Sequence, residues 1–191
     1  VSNIKLLEYL KGVNYLKKYI HSSTPEVYGT TFKKIDENYN YSPSTPYASS
    51  KASIDMLLKN YYDNYSLPMV LTRASNIYGP GQKIYKIIPK TIISLINNKK
   101  IPLHGGGASK RSFIFCDDVS SALIKIMNNS KNGEIYHITN EKMYSIKQIV
   151  KIIAKMMNKK FEDSVIIEKD REGKDFIYDL SSKKLKKLRW K

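Results

Sequence analysis

Apolar positions recur along this chain in two rhythms, one helical and one strand-like. From Ser2 to Gly12, Ile4, Leu6, Leu7 and Leu10 form an apolar face, which predicts a helix stopped by Gly12. "YLKKYIHSS", ending at Ser23, predicts a strand, and the polar stretch from Thr24 to Pro46 a loop. A second helix is expected from about Tyr47 to Tyr65, with Thr45 as N-cap and Pro46 in the first turn. "PMVLTRA" predicts a short strand ended by the turn-rich "SNIYGPGQ", and a third helix spans about Tyr85 to Asn98.

The pattern then loosens. "IPLHGGGASKRSFIF" predicts two short strands around a glycine-rich loop, and a helix follows from Asp117 to Met127. "GEIYHIT" predicts a strand, and Ser145 caps a helix through Met157. "SVIIE", "FIYDL" and a short terminal helix complete the chain; Leu185, Leu188 and Trp190 of that helix are expected to dock on the body. Strands alternating with helices imply an α/β fold with a parallel sheet covered on both faces. The second half reads as a smaller, mixed α+β lobe. Neither an internal repeat nor a low-complexity linker divides the halves.

The 191 residues suit one domain or slightly more, and 41% of them are apolar, enough for a core. No apolar run is long enough to cross a bilayer, and no signal-peptide pattern opens the chain, so no membrane partner is expected. The first residue is Val1, so the start is expected to be a cut. A single cysteine, Cys116, excludes an internal disulfide and fits a reducing, cytoplasmic compartment; flanked by apolar residues, it reads as a small core residue. His21, His104 and His137 lack metal-ligand spacing, so no metal site is expected. The net charge of +16 would attract polyanions, but it is carried mostly by lysine, with four arginines, and no DNA-reading motif is present. A solvated lysine surface is favoured over specific nucleic-acid binding, which would predict a steep salt dependence.

Candidate chemistry centres on "STPYASSK", which sets Tyr47 four residues before Lys51. Composition alone predicts roughly two such spacings in a chain this rich in both residues, so the spacing by itself says little. On a helix, however, the two side chains share a face. A neighbouring ammonium stabilises a phenolate, and such a tyrosine can take a proton from a sugar hydroxyl while hydride leaves the same carbon. Upstream, "HSSTPEVYG" stands where a strand ends, the edge at which parallel α/β sheets bind ligands. There Thr24 offers a hydroxyl and Glu26 a carboxylate, though serines and threonines at such a place also serve ordinary turns.

The ordered pieces "SSTPEVYG", "PYASSK", "RASNIYGPGQ", "KIIPKTI", "HGGGASKRSFIFCDDV" and "YHIT" resemble the extended short-chain dehydrogenase/reductase family of nucleotide-sugar epimerases and dehydratases. The end, "DREGKDFIYDLSSKKLKKLRW", is similar to the terminal signature of the dTDP-glucose 4,6-dehydratase branch. The resemblance implies the C-terminal part of a Rossmann-like doubly wound sheet over residues 1–80, bearing the catalytic pair, and a mainly substrate-binding lobe over 81–191 with segments returning to the sheet. It implies NAD as cofactor, a nucleotide-diphosphate sugar as substrate and a homodimer in the complete protein. Tyr47 would be the catalytic base, Lys51 its partner on the nicotinamide ribose, and Thr24 an aid at the substrate hydroxyl. Ser22, Ala74 and Ser75 would lie along the cofactor, Asn76 on the nucleotide-sugar, and Arg111 and Arg171 on its diphosphate.

Two departures temper that implication. Dehydratases of this branch carry an Asp-Glu pair after the threonine, the Asp protonating the leaving hydroxyl and the Glu removing a carbon-bound proton. Here Pro25 replaces the acid and Glu26 keeps the base. A UDP-glucose 4-epimerase or UDP-glucuronate decarboxylase type of reaction needs no such acid. No G-x-x-G-x-x-G turn occurs either, so the dinucleotide pyrophosphate cradle is expected to lie outside this chain. The chain alone is therefore expected neither to hold NAD tightly nor to turn over. A non-catalytic remnant or binding partner is the alternative of another class.

Overall fold

Two of the helices start where capping side chains direct, at Thr45 and at Ser145. The computed structural model describes residues 2–170 and 177–190. Helix α1 (Ser2–Lys11) leads into strand β1 (Tyr19–Ser22). Helix α2 (Pro46–Tyr65) starts at Thr45, whose hydroxyl accepts from the Ala48 amide at 3.1 Å, and ends where Ser66 turns left-handed at φ 53°. Its buried positions, Ala48, Ala52, Asp55, Leu58 and Tyr61, repeat at helical spacing and define the face against the sheet.

Strand β2 (Met69–Ala74) follows, then β3 (Asn76–Tyr78), α3 (Ile87–Ile96), β4 (Ile101–His104) and β5 (Lys110–Phe115). Next come α4 (Cys116–Asn129), β6 (Ile135–Ile138), β7 (Met143–Ser145), α5 (Ile146–Met156), α6 (Phe161–Ser164), β8 (Val165–Glu168) and α7 (Lys183–Lys186). A reciprocal cap opens α5: Ser145 Oγ accepts from the Gln148 amide at 3.0 Å, and Gln148 Oε1 from the Ser145 amide at 2.7 Å.

Among the described residues the strands sort into three sheets. The order β1-β2-β6 is parallel throughout, with Ser22 opposite Thr72 and Thr72 opposite Tyr136. β3 pairs in parallel with β5, which pairs antiparallel with β7, and β4 pairs in parallel with β8. The α/β class read from the sequence holds. Differences lie at boundaries. The strand ending at Ser23 is four residues long, and "FIYDL" supplies one bridge, Ile35 to Leu180, rather than a strand. The stretch read as loop contains a short 3-10 turn over Pro25–Tyr28. The terminal helix is one turn, yet Leu185, Leu188 and Trp190 dock as expected, against Val70, Ile114 and Tyr136. Trp190 Nε1 donates to Ser121 Oγ at 3.0 Å.

The terminal segment is also tied down by charge. Glu141 accepts from Lys34 at 2.8 Å, from the Ser182 amide and hydroxyl at 2.8 and 2.6 Å, and from Lys186 at 3.3 Å. Burial alone would push its carboxyl up, but these donors hold it at about 2. A depressed folded pKa stabilises above the unfolded value near 4.5, and that contribution is lost as pH falls towards 2. Urea unfolding of Glu141→Gln should show a deficit of order 1–3 kcal/mol at pH 7, shrinking as the pH is lowered through that window. A deficit equal at both pH values would contradict the assignment.

Candidate active site

The C-terminal end of β1, the turn after it and the start of α2 meet at one cleft of about 370 Å³. Ser23, Thr24, Pro25, Glu26, Tyr47, Ala74, Ser75, Asn76, Gln82, Lys86, Phe113 and Tyr178 line it. The turn is built by its own residues. Thr24 caps it, its Oγ1 accepting from the Glu26 amide at 3.3 Å, and Pro25 supplies a fixed φ at the first position. Gly29 ends it at φ 64°, where a Cβ would come within 2.3 Å of the Ser42 carbonyl oxygen, so only glycine fits.

Of the residues singled out from the sequence, Thr24, Glu26, Tyr47, Ala74, Ser75 and Asn76 therefore share one cleft. Ser22 and Lys51 adjoin it through Ser23; Lys51 Nζ donates to the Ser22 carbonyl at 3.1 Å. Arg111 stands back, its guanidinium 4.6 Å from the ring centroid of Tyr178, which itself lines the cleft. Arg171 lies outside the described residues.

The electrostatics differ from the sequence expectation at one point. Lys51 was expected to lower the Tyr47 phenol, but burial, and then the Glu26 carboxylate, raise it. The Lys51 ammonium donates to the Ser22 carbonyl, while the Glu26 carboxylate lines the same cleft as the phenol and acts on it through its charge. Asn76 is engaged as a donor to the Ser112 carbonyl at 3.3 Å. Ser75 Oγ is buried with no hydrogen-bond partner among the described residues, a polar group on the cleft wall that a ligand can satisfy.

Sequence reasoning missed the layer beneath. Asp55 and Arg73 are both 0% exposed and paired, with Arg73 Nη2 on Asp55 Oδ2 at 2.8 Å. Arg73 also donates to the phenol oxygens of Tyr28 and Tyr41. Tyr28 Oη lies 2.8 Å from Nε2 of the buried His137, whose imidazole burial drives down to about 3 and so keeps neutral. The available signal was an arginine inside the apolar run "PMVLTRA" and an aspartate on the face that also carries Ala48, Ala52 and Leu58. Gln82 and Lys86 also line the cleft without having been singled out, although Gln82 ends the motif "RASNIYGPGQ" and Lys86 opens "KIIPKTI". Among the described residues no cluster of His, Cys, Asp and Glu could hold a metal, and no helix is long and apolar enough to cross a membrane.

Comparison with known proteins converges on one group. Residues 1–140 match the model of the NAD dependent epimerase/dehydratase family. The human dTDP-D-glucose 4,6-dehydratase is 36% identical over 182 residues, covering 92% of this chain and 52% of that protein. A crystal structure of a dTDP-glucose 4,6-dehydratase from Streptomyces venezuelae with NAD and TYD bound aligns with a TM-score of 0.94 at 30% identity, over 99% of this chain and 59% of that one. A UDP-glucuronic acid 4-epimerase from Bacillus cereus in complex with UDP-glucuronic acid and NAD aligns at 0.93 with 26% identity, over 99% and 60%. The chain thus spans about half the length of these dehydratase relatives.

Proposed function

The chain belongs to the NAD dependent epimerase/dehydratase family, and on that premise we propose that it carries the catalytic helix and substrate lobe of an enzyme that oxidises a nucleotide-diphosphate sugar at C4. The supporting observation is the convergence of Tyr47, Thr24, Glu26, Ser75 and Asn76 on one cleft. In this reading Tyr47 accepts the proton of the C4 hydroxyl, and the Thr24 hydroxyl hydrogen-bonds the same oxygen, its own acceptor side being engaged by the Glu26 amide. Lys51 aligns the helix on the Ser22 carbonyl and presents its ammonium to the nicotinamide ribose. Asn76 and Arg111 face the diphosphate, a task Arg171 is proposed to share.

The residues fit the nicotinamide end of NAD. The Ser75 hydroxyl is an unsatisfied buried group on the cleft wall, beside Ala74. When bound, NAD supplies the acceptor for the C4 hydride. No G-x-x-G-x-x-G turn occurs in the sequence, so a pyrophosphate cradle is not part of this chain, and we propose that it binds NAD weakly and is inactive by itself.

The relatives favour a dehydratase-like outcome, with Glu26 as the carbon-acid base. One observation favours a second reading. Pro25 occupies the cleft wall where an acid is needed to protonate a leaving hydroxyl, and proline has no proton to give. Return of hydride to the opposite face, as in a 4-epimerase, or loss of carbon dioxide from a uronic acid, needs no such donor. For partners we propose a homodimer through α1 and α2, which leave Leu6, Tyr9 and Met56 exposed.

The test joins this chain to the dinucleotide-binding segment of a full-length relative and incubates the product with NAD and dTDP-, UDP-, GDP- and CDP-sugars. Keto-sugar absorbance or an epimer is the expected result. Absence of both, with NAD demonstrably bound, would argue for the non-catalytic reading.

A further inference from the structure

The buried pair beneath the cleft occupies an unusual place. Every other buried residue of α2 is apolar or aromatic, yet Asp55 puts a carboxylate there. Cohesion is a poor reason for it, since a buried ion pair is often replaceable by apolar residues without loss. Nor is the carboxylate saturated: Oδ1 is buried without a hydrogen-bond partner among the described residues, while Oδ2 takes the hydrogen bonds from Ser23 and Arg73. What those contacts supply is direction. Ser23 Oγ donates to Oδ2 at 2.8 Å, and Arg73 donates to the same oxygen from Nε at 3.3 Å and Nη2 at 2.8 Å.

The spacing of these contacts matches the cleft. Tyr47, Lys51 and Asp55 stand on successive turns of α2, and a helix keeps such positions on one face. Lys51 grips Ser22 and Asp55 grips Ser23, so two turns of one helix hold two consecutive residues at the end of β1. The next residue is Thr24. Arg73 in turn precedes Ala74, the last residue of β2, and Ser75 just after it, and donates to the phenols of Tyr28 and Tyr41. A single oxygen thus ties the helix of Tyr47 to both strands whose ends line the cleft.

We propose that Asp55 is a positioning residue: through Ser23 it sets Thr24, and through Arg73 it sets Ala74 and Ser75, relative to Tyr47. Its bearing on sugar binding rests on the nucleotide-sugar reading above; the geometric claim does not.

The test uses the chain itself, with Ser23→Ala cutting the link and Ser23→Thr restoring the hydroxyl. Amide hydrogen exchange of Glu26 and Val27, in the turn capped by Thr24, is compared with that of Leu71 in the sheet. We expect Ser23→Ala to speed exchange in the turn about tenfold or more with Leu71 and the melting temperature little changed, and Ser23→Thr to reverse it. Turn exchange unchanged in Ser23→Ala, or rising only in step with Leu71, overturns the proposal. A second arm titrates dTDP and dTDP-glucose. Ser23→Ala should weaken the sugar nucleotide several-fold and spare dTDP, whereas equal weakening of both overturns the link to the sugar. If the unaltered chain binds neither ligand, the nucleotide-sugar reading falls, and the exchange arm alone decides whether Asp55 positions the turn.

Discussion

Tyr47→Phe in the reconstituted enzyme is expected to cost about 10²- to 10⁴-fold in turnover, while affinity for the nucleotide-sugar changes little. The substitution removes one oxygen and keeps the ring, so the cleft wall remains while the group that accepts the C4 proton is gone. Keto-sugar absorbance measures the first quantity and calorimetric titration the second. The environment adds a pH signature. Burial and the Glu26 carboxylate raise the Tyr47 phenol above its ordinary value, so in the free chain the base form is scarce at neutral pH. Turnover should therefore climb with pH on its acid side, since each step up enlarges the phenolate fraction. Turnover in Tyr47→Phe equal to that of the unaltered protein would remove the assigned base and, with it, the mechanism.

Asp55→Ala is expected to destabilise the chain by about 3–5 kcal/mol, because it leaves Arg73 buried without its counter-charge. Both partners are fully enclosed, so water cannot take the place of the missing carboxylate. The two neighbouring phenols soften the loss only as neutral acceptors, since burial raises them both and keeps them protonated. The double variant Asp55→Leu/Arg73→Met removes both charges and should recover most of the loss. Denaturant midpoints of the single and double variants check this. A single variant as stable as the parent, or a double variant no better than the single, would show that the pair is not the buried unit described.

Much of the cleft was legible from sequence because its parts are local. The helix that bears Tyr47 and Lys51 announces itself through Thr45 and Pro46, and four-residue spacing fixes a shared face before any tertiary contact is known. Thr24 and Glu26 could be assigned to a ligand edge because a strand ends just before them. Six ordered motifs then carried the family, which the match over residues 1–140 bears out.

What stayed hidden depended on groups distant in sequence. The partner of Lys51 is a carbonyl 29 positions away, and the Tyr47 phenol is raised by burial first and by the Glu26 carboxylate second. Arg111 is expected on the diphosphate from its motif alone, whereas the ring its guanidinium lies over, Tyr178, comes from far along the chain.

By itself, then, the sequence determined the alternation of strands and helices, the cap that starts α2 and the Tyr47–Lys51 face, because propensity, capping and periodicity act over a few residues, while the family came through the resemblance of its ordered motifs. Only the tertiary structure decided which way each charge points. Asp55, Ser23 and Arg73 come from a helix and two different strands, and their meeting at one oxygen follows from how those elements pack.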